Sequence, residues 1–272
     1  MYTIQGYSKV KTLEEAYELN QKRSSTIIGG GMWLRLGNRS IGTAIDMSDL
    51  GLNQIEETET EFVIGAMTSL RDIECHAGLH QYFNGMMKEA MKGIVGTQFR
   101  NTATIGGSIY QRFGFSDPLT ALLALDTTVE MYAGGMIPLD KFVIMDYDND
   151  VLVRIHIKKD RTQAAYQSFR NAKTDFPVLT AAVSRRDGKL KVVIGARPGR
   201  AVVAKCPDVL ASAPTEEDVK KFSGRVAEMV SFGTNMRASA EYRKILAEVL
   251  VKRAIMEILE QTSPEATGGV CK

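Results

Sequence analysis

At 272 residues, with 44% apolar and 24% charged side chains, the chain carries enough apolar material to bury more than one core without disulfides or metals. Lysine and arginine number 34 against 32 aspartates and glutamates, and the formal charge of +2 supplies no one-signed field of the kind that draws in nucleic acid. The longest apolar runs fall short of a membrane span and the first residues lack the basic and apolar regions of a secretion signal, so no membrane insertion is expected and the cytoplasm is the expected compartment.

Cys75, Cys206 and Cys271 stand far apart without a C-x-x-C pair, and only His76, His80 and His156 accompany them. A cysteine-ligated iron–sulfur cluster usually takes four thiolates, and structural zinc takes a tight Cys/His set. No metal site is expected, and His76 and His80 read as surface or packing residues. Any redox centre must be organic or carried on another chain.

In chain order, a short strand around Tyr2 to Ile4 leads to a helix starting near Thr12, which stands three residues before Glu15 in the spacing of a capping box. The apolar run Thr26-Ile27-Ile28 enters Gly29-Gly30-Gly31, and Thr43 to Met47 reads as a second buried strand, giving a small α/β unit of about 50 residues. Phe62 to Met67 resumes an extended pattern. Ser69 and Asp72 are placed to start a helix, and one helical stretch covers Gln81 to Met91. The segment Arg100 to Ile109 follows, containing Thr104-Ile105-Gly106-Gly107-Ser108. Leu119 to Leu125 reads as a buried apolar helix, and Val129 to Tyr132 and Val151 to Ile157 as strands. Beyond about Lys158 the pattern changes: Val178 to Val183 and Leu190 to Gly195 flank Arg186-Asp187-Gly188-Lys189, a strong hairpin signal, with Arg185, Arg186, Lys189 and Lys191 on its solvated tip. Helices are expected over Glu216 to Val230 and Ala238 to Leu259, and a loose tail from Thr262 to Lys272.

The two glycine segments carry the chemistry. Glycine permits φ > 0 and removes side chains, so successive amides can converge on an anion; Thr104 and Ser108 add hydroxyl donors to the second segment. A hydrogen bond to a charged group is worth about 1.5–3 kcal/mol, and several together can hold a diphosphate without a lysine. Neither segment fits the spacing G-x-x-x-x-G-K-[ST], nor G-x-G-x-x-G with its acidic ribose ligand. This argues against a mononucleotide hydrolase and against a Rossmann NAD domain.

Across nearly its whole length the sequence resembles the FAD-binding subunits of the molybdenum hydroxylases, the family of the flavin subunits of xanthine dehydrogenase, carbon monoxide dehydrogenase and nicotinate dehydrogenase. The resemblance is carried by Gly30-Gly31 with Leu34, Ile45-Asp46, Ile64-Gly65-Ala66-Met67-Thr68, and most specifically by Arg100 through Ser108 followed by Asp117-Pro118. Ala240-Glu241-Tyr242-Arg243 to Val251-Lys252-Arg253-Ala254 matches the family's end. It implies an α+β, vanillyl-alcohol-oxidase-like (PCMH-type) fold with two amino-terminal subdomains, residues 1–52 and 53–158, around a noncovalent FAD, and a carboxy-terminal antiparallel sheet and helix domain at 159–272. By the same resemblance, Ile27, Ile28, Gly29, Gly30, Gly31, Met32, Trp33 and Leu34, with Thr104, Ile105, Gly106, Gly107 and Ser108, surround the FAD diphosphate and its sugar. Asp117 is the acidic residue on the cofactor and Ile94 an apolar position near it. No residue is expected to act as catalytic acid, base or nucleophile, or to bind a metal.

The resemblance further implies a partner large subunit with the molybdenum cofactor and a partner small subunit with [2Fe-2S] clusters. Electrons reach FAD through the clusters and leave to NAD+, or to ferredoxin or oxygen. Two departures stand out. Met32 replaces the Thr or Ser of the family's first glycine turn, forfeiting about 1 kcal/mol of hydrogen bonding, and Trp33 beside it either flanks the flavin ring or packs ordinarily. Gln167 falls where relatives carry a lysine, leaving Arg170 or Lys173 to supply charge. The alternatives are a stand-alone flavin oxidase, which needs an acid or base over the ring, and an assembly or scaffold protein without cofactor.

Overall fold

The first unit grows from a strand, β1 (Thr3–Lys9), whose successor helix α1 (Leu13–Asn20) is capped by Thr12 accepting from the Glu15 amide. The structure, a computed structural model, describes residues 2–205, 210 and 214–261; Cys206, Cys271 and the expected tail lie outside them. β2 (Ser25–Ile27) and β3 (Ser40–Asp46) complete a three-stranded sheet of order β1-β3-β2 with all pairs parallel, as a helix crossover requires. Ala16, Ile45 and Met47 form its core together with Val151 and Val153, so this unit is packed onto the next rather than standing alone.

The second unit opens with strands β4 (Ile55–Glu57) and β5 (Glu61–Gly65). Helices α2 (Leu70–Cys75), α3 (Ala77–Tyr82), α4 (Met86–Lys92), α5 (Thr97–Thr102), α6 (Ile105–Tyr110) and α7 (Asp117–Ala124) follow, then strands β6 (Thr127–Met131) and β7 (Gly135–Pro138), helix α8 (Leu139–Ile144) and strand β8 (Leu152–Lys158). Its five strands pair antiparallel in the order β4-β5-β8-β6-β7. Phe62, Ile64, Val129 and Ile155 meet Ile73, Leu79, Met87 and Leu122 in the largest core. The single helix expected over Gln81 to Met91 is instead two. Asn84 and Gly85 take φ of +49° and +79°, which ends one helix and starts the next so that Met86 and Met87 turn inward. His76 is a packing residue here: its Nδ1 accepts from the Leu79 amide at the start of α3.

The third unit is a four-stranded antiparallel sheet, β9 (Gln163–Phe169), β10 (Leu179–Arg186), β11 (Lys189–Gly195) and β12 (Val202–Val203), in the order β12-β11-β10-β9. The hairpin turns at Asp187 and Gly188, both left-handed at φ +50° and +76°. Helix α9 (Glu216–Met229) starts in a full capping box, Thr215 with Asp218, and α10 (Ala240–Gln261) packs beside it on one face of the sheet. At the head of α10, Arg243 is 1% exposed and donates to the carbonyls of Val178, Gly233 and Ala238 and to Asn235 Oδ1. A guanidinium so occupied fixes a turn of chain and is not available to a ligand.

Candidate functional site

Ile28 makes the last sheet hydrogen bond, its amide donating to Ile45 at 2.9 Å, and the chain then leaves through Gly29-Gly30-Gly31. Gly30 and Gly31 sit at φ +74° and +67°, and a Cβ on Gly30 would lie 1.9 Å from the Thr102 carbonyl oxygen. Only glycine allows this approach. A Cβ on Gly29 would come within 2.5 Å of Thr104 Oγ1, and one on Gly107 within 3.4 Å of the Gly29 carbonyl. Two segments some 75 residues apart in sequence therefore meet backbone to backbone.

Their contributions differ. The second segment is not a loop but the first turn of α6, and its amides are already engaged: Ile105 with Thr68 O, Gly106 with Ala66 O, Gly107 with Thr104 Oγ1 and Ser108 with Thr104 O. Ser108 Oγ donates to the Thr104 carbonyl as well. What this segment offers is closeness, plus the Thr104 hydroxyl hydrogen, since that oxygen serves Gly107 only as an acceptor. By contrast, the amides of Gly29, Gly30, Gly31 and Met32 donate to no carbonyl or side chain among the described residues. Successive amides without an acceptor, beside a stretch of glycine backbone, suit a diphosphate, so the donor set fits the expected cofactor at that end.

The meeting point lies between two cavities. A cleft of about 400 Å³ is lined by Ile27, Gly29, Thr104, Gly106 and Gly107 and closed on the far side by Tyr110 and the segment Tyr147 to Asp150, with Arg23 and Arg39 at its edge. The Tyr110 hydroxyl donates to the Asp148 carbonyl, tying α6 to that far wall. A second, smaller cavity of about 80 Å³ lies beyond α6, lined by Trp33, Ile94, Ser108 and Asp117 with Phe113, Phe115, Arg170 and Phe176. Of the residues singled out in the sequence, Ile28, Gly30, Gly31, Met32, Leu34 and Ile105 line neither: Gly30 packs on Thr102, Met32 rests on the core, Leu34 opens a single 3-10 turn and Ile105 is fully buried.

Asp117 is 4% exposed. The cap of α7 is made by Ser116, whose Oγ accepts from the Leu119 amide, and not by the Asp117 carboxylate. The Asp117 carboxylate instead pairs with the Arg170 guanidinium and accepts from the Tyr166 hydroxyl at 2.5 Å. Burial pushes its carboxyl upward, and Arg170 and Tyr166 pull the other way. Tyr166 was not visible in the sequence as a site residue; the signal is strand alternation. On β9, Ala164 and Tyr166 belong to the core of the second unit, Tyr166 reaching Asp117 at the start of α7, while Ala165, Gln167 and Phe169 lie on the side of α10. Gln167 donates to Glu257 of α10 at 2.7 Å, so the expected lysine position turns away from the cavity and Arg170 is the cation that faces it. Burial raises the Glu257 carboxyl, against the pull of Gln167.

One buried ion pair supports this architecture. Arg100 binds Glu74 through two nitrogens, at 2.8 and 3.2 Å, and donates from the third to the Ile94 carbonyl at 3.0 Å. Burial opposes the Glu74 charge, but Arg100 and Arg71 outweigh it and hold the carboxyl below its ordinary range. The next residue, Val95, sits at φ +47°, unusual for a β-branched side chain. The back wall of the small cavity is thus held by an ion pair that the motif Arg100 to Ser108 brings with it.

Residues 2–157 match the family described as the FAD binding domain in molybdopterin dehydrogenase, and residues 164–258 match the CO dehydrogenase flavoprotein C-terminal domain. The nicotine 6-hydroxylase medium subunit of Paenarthrobacter nicotinovorans is 26% identical over 92% of this chain and 96% of its own. The carbon monoxide dehydrogenase medium chain of Hydrogenophaga pseudoflava is 26% identical over 75% and 77%. Among solved structures, carbon monoxide dehydrogenase from Hydrogenophaga pseudoflava superposes with a TM-score of 0.84 at 24% identity, covering 95% of this chain and 98% of that one. Quinoline 2-oxidoreductase from Pseudomonas putida 86 gives 0.83 at 18%, over 94% and 96%.

Proposed function

Because this chain belongs to the FAD-binding flavoprotein subunits of the molybdopterin dehydrogenases, we propose that its glycine turn and α6 hold one noncovalent FAD across the two cavities. It is an FAD-dependent oxidoreductase subunit, carrying electrons within a multisubunit molybdenum hydroxylase. The observation that carries the binding reading is the meeting of Gly29 with Thr104 and Gly107 beside four amides that have no acceptor among the described residues. The Gly29 amide and the Thr104 hydroxyl, which line the larger cavity, hold the diphosphate, with the amides of Gly30 to Met32 next along the same turn. Ile94, Ser108 and the Asp117–Arg170 pair form the wall for the ring. Bound flavin supplies the redox chemistry; the chain orients it, keeps water from one side and places a guanidinium nearby. Both carboxylates lining the cavity are engaged, Asp117 by Arg170 and Tyr166 and Asp175 by Arg237, which leaves no unpaired carboxylate there among the described residues and speaks against a stand-alone oxidase.

We assign residues 1–52 and 53–158 to the two cofactor-binding subdomains and 159–272 to the third unit. The electron donor is a small iron–sulfur subunit, the molybdenum cofactor sits in a large one, and NAD+ is the acceptor. The names of the relatives, a medium subunit and a medium chain, support a complex of this kind. Neither nucleic acid nor a bilayer is a partner in this reading, and no helix among the described residues is long and apolar enough to cross a membrane. Purified full-length chain incubated with FAD and desalted should keep flavin absorption bands; a spectrum without them ends the proposal. Native copurification should recover large and small subunits, and reoxidation of the dithionite-reduced protein by NAD+, ferredoxin or oxygen identifies the acceptor.

A further inference from the structure

The cavity that holds Ile94, Ser108 and Asp117 measures about 80 Å³, whereas sites for drug-sized ligands span roughly 300–1,000 Å³. Aromatic rings occupy the rest of the space. Trp33 lies 4.9 Å from Phe99, 5.3 Å from Phe115, 5.9 Å from Phe176 and 6.3 Å from Phe113, measured between ring centroids. Trp33 stands at the centre of the set, in contact with all four of the other rings. Its Nε1 hydrogen is buried with no acceptor among the described residues, so turning the indole breaks no hydrogen bond. Its backbone belongs to a short stretch between Gly31, at φ +67°, and Gly37, whose only regular structure is the 3-10 turn Leu34–Leu36. Phe115, by comparison, adjoins the cap of α7, and Phe176 is held beside Pro177, which is buried.

We propose that Trp33 is the gate of the ring cavity: a three-ring group reaches Ile94, Ser108 and Asp117 only after the indole turns out from between Phe99, Phe115 and Phe176. The inference rests on the FAD reading above and extends it to the order of events. Gly29, Thr104, Gly106 and Gly107 line the 400 Å³ cleft, and the diphosphate is captured there first; the indole then turns, and the ring settles. Hinges of moving segments are a few loop or element-terminal positions, often small residues, and Gly31 and Gly37 flank this one.

Trp33 is the only tryptophan in the chain, so its emission reports on the gate without labelling. Full-length protein freed of flavin is mixed rapidly with increasing FAD, following tryptophan and flavin emission. Two phases are expected: a fast one whose rate rises with FAD, and a slow one that becomes independent of concentration and is seen in both signals. ADP, which has the diphosphate but no flavin, should give the fast phase alone. Trp33→Ala should speed the slow phase in flavin emission at least tenfold or remove it, and Trp33→Phe, which keeps an aromatic stopper, should retain it. Trp33→Leu serves if the alanine variant does not fold by circular dichroism. A single phase proportional to FAD throughout, or a slow phase unchanged in Trp33→Ala or Trp33→Leu, overturns the gate while leaving FAD binding intact. Absence of any FAD binding at equilibrium overturns the cofactor reading itself, and the gate with it.

Discussion

Replacing Arg100 by alanine strands Glu74 inside the protein. Both side chains are 7% exposed, the pair is bidentate, and Arg100 also supports the Ile94 carbonyl. Removing one partner of a buried pair costs about 3–5 kcal/mol. Arg71, 2.9 Å from Glu74, remains as a weaker, more exposed counter-charge, which places the expected loss near the lower figure, about 3 kcal/mol. For a protein of this size each kcal/mol moves the melting temperature by about 2–4 °C, so a drop of about 6–12 °C is expected in thermal unfolding followed by circular dichroism. The sign with pH follows from Glu74, whose carboxyl is held down in the folded state. Its stabilisation is complete above the unfolded value of about 4.3 and is lost as pH falls through the lower folded value. The gap between wild type and Arg100→Ala should therefore be full at pH 7 and narrow below about pH 4. Arg100→Met combined with Glu74→Leu, which removes both charges, should recover much of the loss. A single-variant shift under about 2 °C, or a gap that widens in acid, would refute the assignment of this pair as the support of the cavity wall.

Two further tests separate geometry from composition. Gly51→Ala and Gly30→Ala both place a methyl group at a left-handed glycine, but the first meets nothing within 4 Å and the second meets the Thr102 carbonyl at 1.9 Å; denaturant unfolding should show a loss of about 1–2 kcal/mol for Gly51→Ala and a clearly larger one for Gly30→Ala, with loss of flavin retention in the latter only. Gln167→Lys should leave the flavin potential and absorption unchanged, because that side chain reaches Glu257 on the far side of the sheet, whereas Arg170→Gln, beside Asp117, should shift both; spectroelectrochemical titration distinguishes them.

Much of the frame could be read without coordinates, because its signals are local. Thr12, Ser69 and Thr215 each accept from the amide three residues on, and Asp187-Gly188 makes the turn its residue types demand. The two glycine segments were legible as special, and their meeting is what the structure adds. What stayed hidden depended on facing. Glycines in Thr104 to Ser108 read as a loop, yet Thr68 and Ala66 accept the amides and fold the segment into a helical turn. Gln167 was matched by position along the chain, but a strand turns successive side chains to opposite faces, and Tyr166 took the site side. Arg100 was recognisable within its motif, while its partner Glu74, 26 residues earlier, carried no mark in the sequence.

β9 presents Tyr166 to Asp117 and the adjacent Gln167 to α10, so a single ribbon of backbone serves two interiors at once. Sliding that ribbon by one residue would exchange the two, putting an amide where the phenol belongs and a phenol against Glu257. Length in the short connection between β8 and β9 is therefore under tight constraint, and lengthening or trimming it by one residue should detune the flavin environment even though the connection itself lies outside both cavities.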